Sequence, residues 1–426
     1  MAIETPAGYY PLDDKRLPGF LAGLSHIAAR LGGSPQDWKI DEVGDGNLNL
    51  VFLIEGPAGS VCVKQALPYV RLVGEGWPMT LQRAFFEHEY LREQAPHVGS
   101  LMPAVYHYEP VLFAIVMERL TPHVIMRRGM IGGQRYPAFA EHISEYLARS
   151  LFFTSDLFLI AEAKKDLMTT FGGNTELCKI TEDLIFTEPY IIHERNRWTS
   201  PQLDGIAGEF RRDVALKLAI SRLKLAFLTS TEALIHGDLH TGSVMATEQE
   251  TKVIDAEFAF VGPMGFDVGA VLGNLLLAYF SQDGHATGES PREDYQEWIL
   301  ETTERVWTGF AEKFLALWQK EPTGDAYPKA LFADAPEVME GERARYIDRL
   351  YVDSLGFAAA KMIRRILGLA HVIDLEKIAD PDRRAVCETR ALRLARELMV
   401  NTARYPRIGD VTAAARAVRN RAASQL

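Results

Sequence analysis

A chain of 426 residues has room for two or three domains, or for one enzyme of two lobes. Apolar residues make up 47% and charged residues 24%, the balance of a soluble globular protein with ample core. The net charge of −11 speaks against a nucleic-acid partner, and three scattered cysteines (Cys62, Cys178, Cys387) exclude a disulfide scaffold or a zinc ribbon.

Residues 1–16 carry acids early and lack a basic segment followed by an apolar one, so no secretory signal is expected. The spacing of apolar residues over 18–32 predicts a helix stopped by Gly32 and Gly33. The texture then changes to short strand-like runs around 38–46, 49–56, 60–66, 104–110 and 113–120, separated by Gly, Asp and Pro. A helical pattern over 81–93 interrupts them, with Thr80 placed to cap it. Beyond residue 119 helical periodicity dominates, over 137–153, 209–229, 293–319, 338–371 and 382–403. Short strands are expected only near 243–246 and 252–254. The apolar run 268–280 falls short of the ~20 residues that span a bilayer, so a buried core helix is expected and no membrane partner. A strand-rich unit (1–118) joined to a helix-rich one (119–426) is the α+β pattern, with a ligand cleft expected between them. A cytoplasmic protein is expected.

The chemistry concentrates between Ile235 and Asp267, where His-Gly-Asp-Leu-His (236–240) precedes an apolar strand ending in Asp255-Ala-Glu257. Asp238 in a loop can accept or orient the proton of an alcohol attacking a phosphoryl group. An isolated HGD serves loop capping equally well. A zinc site on His236, Asp238 and His240 would need further His or Cys ligands, and the remaining histidines are scattered. Asp255 and Glu257, two apart at a strand end, share a face in extended geometry and suit magnesium, which prefers oxygen donors.

Lys64 lies between apolar neighbours on a predicted central strand, where an ammonium needs a partner. It suits nucleotide phosphates and pairing with a helix glutamate, Glu87 or in its stead Glu89. The loop 43–50 carries Gly44 and Gly46 and resembles a phosphate-covering turn, with Asn49 where a third glycine would stand. No GxxxxGK[ST] occurs, which excludes a P-loop. Arg364 and Arg365 interrupt an apolar helix, so at least one should face inward. Trp77 sits on a Gly/Pro-bearing segment, 74–79, that suits a lid or an anchored loop.

Taken together, HGDLHTGS, IDAEFAFVGPMGFD, GEGWPM, DGNLN and MIRRILG resemble the protein-kinase-like family of aminoglycoside and choline kinases. Within it they are most similar to the methylthioribose kinases, over about residues 40–370. Ser243 where most relatives have Asn, and Asp255-x-Glu257 in place of a D-x-D or DFG motif, match that branch. The resemblance implies a two-lobed fold with a small antiparallel sheet, and ATP-dependent phosphorylation of the 1-hydroxyl of 5-methylthioribose in methionine salvage. It implies Asp238 as catalytic base, also touching substrate, and Asp255 and Glu257 as Mg2+ ligands. ATP would be met by Asp45, Gly46, Asn47, Asn49, Lys64 with Glu87, a hinge of Met117, Glu118 and Leu120, and Ser243. Trp77, Arg364 and Arg365 would meet the sugar, and a homodimer is implied. The competing expectations are a kinase of another small alcohol (choline, aminoglycoside or homoserine type), or an inactive nucleotide-binding scaffold.

Overall fold

The structure, a computed structural model, describes residues 3, 5–44, 48–70 and 74–422. Two short helices open it, α1 (Leu17–Ala22) and α2 (Ser25–Leu31). The continuous pattern over 18–32 is broken between them, because the chain bends at Gly23 and Leu24 turns extended. Strands β1 (Lys39–Glu42), β2 (Asn49–Glu55) and β3 (Ser60–Ala66) follow, then a small hairpin of β4 (Tyr69–Val70) and β5 (Gly74–Pro78). Segment 74–79 is thus mostly a strand and not a free loop. Helix α3 (Arg83–Val98) separates it from β6 (Val105–Glu109) and β7 (Ala114–Met117).

Five of these strands form one antiparallel sheet in the order β1-β2-β3-β7-β6, which puts β3 at its centre. Alternation along β3 decides what each face does. Val61 and Val63 point to a core with Phe52, Ile54, Val116 and the apolar faces of α1 and α2. Cys62 and Lys64 point the other way. Helix α3 begins later than its apolar pattern suggests: Gln82, not Thr80, occupies the N-cap, and the Thr80 hydroxyl accepts a hydrogen bond from Gln82 N at 3.2 Å. Arg83 and Glu87, one turn apart, share its buried side. Its apolar residues Phe86, Tyr90, Leu91 and Val98 join the large core of the helical part.

That helical part runs through β8 (Val124–Ile125), α4 (Met126–Gly132), α5 (Phe139–Phe153), α6 (Ala161–Phe171) and α7 (Thr175–Phe186). The pattern over 209–229 is two helices, α8 (Asp204–Arg212) and α9 (Val214–Thr229). Asp213 divides them by accepting a hydrogen bond from Leu216 N at 3.0 Å as the N-cap of α9. Strands β9 (Ala233–Ile235), β10 (Val244–Ala246), β11 (Thr251–Val253) and β12 (Phe260–Gly262) frame the loops that carry the acids. After them come α10 (Met264–His285), α11 (Glu293–Lys320), α12 (Val338–Leu367), α13 (Ile373–Glu376), α14 (Pro381–Val400) and α15 (Ile408–Arg419).

Helix α10 is apolar and long enough to cross a bilayer, but that stretch is wholly buried in the protein. It packs against α12 at very short range. A Cβ on Gly269 would lie 2.5 Å from the Ser354 carbonyl oxygen, and one on Gly273 2.7 Å from that of Ala358. Only glycine permits this approach, which brings Asp267 on α10 and Lys361 on α12 to the same loop.

Candidate active site

The HGD loop is fixed from three directions. Asp267 accepts hydrogen bonds from His236 N (2.6 Å) and Gly237 N (3.1 Å), so a carboxylate one helix away holds the turn. Gly237 has φ +81°, and a Cβ there would lie 2.2 Å from the Phe258 carbonyl oxygen. His236 Nδ1 accepts from Asp238 N at 3.3 Å, which leaves Nε2–H to donate to the Ile254 carbonyl at 2.9 Å. Further along, Arg127 donates to the Thr241 hydroxyl at 3.1 Å.

Asp238 emerges from this turn into a ring of cations. Lys361 Nζ stands 2.9 Å from Oδ1, while His240 Nε2 (3.3 Å) and Arg365 Nη2 (3.8 Å) lie near Oδ2. Burial works against the charge on Asp238, but Lys361 and His240, with Arg365 behind them, outweigh it and hold the carboxyl well below its ordinary range. His240 is kept neutral: burial depresses its pKa to about 3. Its Nδ1 accepts from Gly242 N at 3.0 Å, which assigns the remaining proton to the nitrogen facing Asp238.

Arg364 and Arg365 are both buried, 9% and 7% exposed, so the expectation that at least one faces inward is exceeded. Each donates one hydrogen bond to the Ala370 carbonyl, at 3.2 Å, and each has a buried Nε without a hydrogen-bond partner. Lys361, Arg364 and Arg365 follow at i, i+3 and i+4 on one helix face. These three buried cations face Asp238, with Arg127 and its partner Asp374 behind them, and positive charge is in excess, which suits an anion.

Lys64, on the central strand, has the opposite surroundings. It is 2.7 Å from Glu87 Oε2 and in direct ion-pair contact with Asp255 Oδ1. Glu87 is therefore the partner, whereas Glu89 pairs with His88 and Arg92. Burial opposes the Lys64 ammonium, yet Asp255 and Glu87 raise its pKa above the ordinary value. Burial also pushes Glu87 and Glu257 up, while Lys64 pulls Asp255 down against its own burial and keeps it ionised. Oxygen atoms of Glu87, Asp255 and Glu257 all lie within 4.8 Å of one another.

The shared extended face expected for Asp255 and Glu257 is not what unites them. Strand β11 ends at Val253, and Asp255 has φ +71°, a left-handed turn that swings the chain back. Asn174 secures the turn by donating to the carbonyls of Glu257 (3.0 Å) and Ala259 (2.9 Å). Asn49 is likewise not a loop residue: it starts β2, donates to Glu257 Oε2 at 2.9 Å and accepts from Arg83 Nε at 3.1 Å. Arg83, fully buried, lies 3.3 Å from Glu257 and donates to the carbonyls of Leu48, Leu67 and Thr80. Ser243, expected beside the nucleotide, donates to the Asp238 carbonyl at 3.0 Å and so braces the HGD turn.

Asp45, Gly46 and Asn47 lie outside the described residues. Met117 ends β7, and Glu118 N donates to the Ala104 carbonyl at 2.8 Å, so that N–H is already engaged in the segment 117–120. Trp77 is not brought to the arginine pair. It lines a separate groove of about 570 Å³ with Thr175, Glu176, Lys179, Asp183 and Arg195, whose guanidinium stands 5.6 Å over the indole. Sequence reasoning missed Arg83, Lys361, Asp267 and Asn174. Arg83 and Lys361 had a signal, since each lies three or four positions from a residue already singled out on a helix. Asp267 and Asn174 had none, because both act through backbone groups distant in sequence.

An acid presented to an acceptor on one side, and a strand lysine held by a helix glutamate on the other, are the parts of a small-molecule kinase. Residues 39–311 match the sequence profile of the phosphotransferase enzyme family. The chain is 46% identical over 417 residues to the methylthioribose kinase of Escherichia coli O45:K1, covering 98% of this chain and 100% of that one. It is 46% identical over 407 residues to methylthioribose kinase 1 of Oryza sativa subsp. japonica, covering 95% and 94%. The chain belongs to the phosphotransferase enzyme family and, within it, to the methylthioribose kinases. A choline/ethanolamine kinase family protein from Mesorhizobium loti is similar in structure over 95% of this chain and 99% of that one, with a TM-score of 0.43 and 14% identity.

Proposed function

We propose that the protein transfers the terminal phosphoryl group of ATP to the 1-hydroxyl of 5-methylthio-D-ribose, giving the 1-phosphate and ADP. The observation that carries this reading is the ring of Lys361, Arg364 and Arg365 around Asp238. It supplies a carboxylate for the attacking hydroxyl and, beside it, an excess of positive charge for the group that arrives. A carboxyl held so far below its ordinary range is a weak base. Asp238 therefore orients the hydroxyl and takes its proton only as the new oxygen–phosphorus bond forms, which suits a loose phosphoryl transition state.

Lys64, positioned by Glu87, meets the nucleotide phosphates, with residues 45–49 above them and Met117, Glu118 and Leu120 at the base. The oxygen donors of Asp255 and Glu257 fit magnesium, because Asp255 is ionised and half exposed while Glu87 is committed to Lys64. Magnesium held there supplies neutralisation of phosphate charge. In this reading residues 1–118 form the nucleotide lobe and 119–426 carry the acceptor site. The protein acts in the cytoplasm as a homodimer in methionine salvage, without a nucleic-acid or membrane partner.

A cationic acceptor such as choline or an aminoglycoside is disfavoured by the same three cations. An inactive scaffold is disfavoured by the joint presence of Lys64, Asp238, Asp255 and Glu257. The test is ATP consumption with methylthioribose beside ribose, choline and kanamycin. Turnover with methylthioribose alone supports the reading; selective turnover of another alcohol overturns the substrate.

A further inference from the structure

Lys361 lies outside every motif residue discussed for the reaction, yet it makes the shortest side-chain contact to Asp238. Its ammonium is 2.9 Å from Oδ1, its side chain is 2% exposed, and its Nζ stands 4.3 Å over the ring of Phe266. The lysine is therefore held from behind by α10 and aimed at one oxygen only. The other oxygen, Oδ2, is held more loosely, by His240 at 3.3 Å and Arg365 at 3.8 Å. An ammonium contact as short as that on Oδ1 is a charge-assisted hydrogen bond, about twice as strong as a neutral one, so the two oxygens differ in what they have left to give.

We propose that Lys361 is a positioning residue of phosphoryl transfer: it pins Asp238 Oδ1 and thereby presents Oδ2 to the acceptor hydroxyl. This rests on the kinase reading above. In the step, the acceptor O–H bond breaks and its proton passes to Oδ2. The oxygen's electron pair forms the new bond to phosphorus, and the phosphorus–oxygen bond to ADP breaks with its pair leaving on ADP. Asp238 is then neutral, so Lys361 loses its anionic partner as the transferred group arrives. Its charge joins those of Arg364 and Arg365 facing the new phosphate ester. A carboxylate left to rotate would offer the hydroxyl no fixed acceptor, and misplacement of that kind costs rate without costing nucleotide binding.

The experiment compares Lys361→Met, Lys361→Arg and Lys361→Met in an Asp238→Asn background, with a crystal structure of the first. Lys361→Met is expected to lower kcat by about 10²-fold with the KM for ATP unchanged, and to leave the Asp238 carboxylate rotated from its place. Lys361→Arg, which keeps the charge, is expected to recover part of that loss. In the Asp238→Asn background the methionine is expected to cost nothing further. A kcat within a few fold of wild type, or an Asp238 carboxylate that stays in place in the variant, overturns the proposal, as does an equal loss in the Asp238→Asn background. If the wild type phosphorylates a different alcohol, the substrate reading fails while the same comparison is made with that alcohol.

Discussion

Two clusters face the candidate site, and they are electrostatic opposites. At Asp238 one carboxylate stands among Lys361, Arg365 and the neutral His240. At Lys64 one ammonium stands among Glu87, Asp255 and, beyond them, Glu257. Both are largely withdrawn from water, where an unbalanced charge is expensive, and neither is balanced by the protein alone. The first is short of negative charge and the second of positive charge. In the proposed reading an anion completes the first and a cation the second, and a nucleotide triphosphate carrying a metal would supply both. The clusters are also mechanically joined, because His236 in the HGD turn donates to the Ile254 carbonyl next to Asp255.

The hardest blow to this opposition is Asp238→Asn, which removes from the cationic cluster the acid that Lys361 contacts. It is expected to lower kcat by ~10²–10⁴-fold while ATP binding, followed by calorimetry, persists. Retained turnover would show that the ring of cations serves structure alone. On the other side, Asp255→Asn is expected to cost about 10²-fold or more in kcat at the magnesium concentration that saturates the wild type. ADP release measured across a magnesium titration checks this, and a titration curve that coincides with that of the wild type would mean the acids do not serve the metal.

A third variant separates support from chemistry. Arg83→Met strips Glu257 of its nearest cation and Asn49 of its donor, leaving a buried carboxylate with only Asn49 and the more distant Lys64. About 3–5 kcal/mol of stability should be lost, read from urea unfolding. If stability is untouched, the acid cluster is not held as described.

The smallest effect calibrates what burial does without a ring of cations. Glu388, on α14, is 1% exposed, and burial pushes its pKa up to about 7 against the pull of Thr199 and Arg384. Raised above its ordinary value, this acid binds its proton more tightly folded than unfolded. Its contribution to stability is therefore complete below the usual glutamate range and is lost as pH rises towards about 7. Melting temperatures of wild type and Glu388→Gln from pH 4 to pH 8 should diverge in favour of the variant with rising pH. Parallel curves would refute it. Asp238, depressed instead of raised, has the opposite sign: its contribution is present above the ordinary aspartate range and fades only as pH falls through its lowered pKa.

Much of the site was legible in sequence where one short segment carries several parts. HGDLH, the acids at Asp255 and Glu257, and the strand lysine with a helix glutamate each combine residue type with local spacing. Helical geometry required one glutamate partner for Lys64 and left Glu87 and Glu89 open, and the apolar helix that two charges interrupt required only one inward arginine; packing chose Glu87 and buried both arginines. Other expectations failed for local reasons. Thr80 gave way to Gln82 because the helix starts where Arg83 can reach Asn49 and Glu257, and one predicted helix became two because Asp213 caps the second. Ser243 and Asn49, read as nucleotide contacts, also take protein partners that sequence spacing does not announce, the Asp238 carbonyl and Glu257.

By itself the amino-acid order determined the alternation that puts Lys64 on one face of a central strand. It also determined the helical spacing of Lys361, Arg364 and Arg365, and the acids clustered between residues 235 and 267. Only the tertiary structure decided which oxygen of Asp238 each cation takes, that Asp255 turns left-handed to meet Glu87, and that Trp77 sits apart from the arginines. The reason is physical. Periodicity and residue type act over a few neighbouring positions, whereas a buried charge is settled by whatever partners the packing of α10 against α12, and of α3 against the sheet, brings within reach.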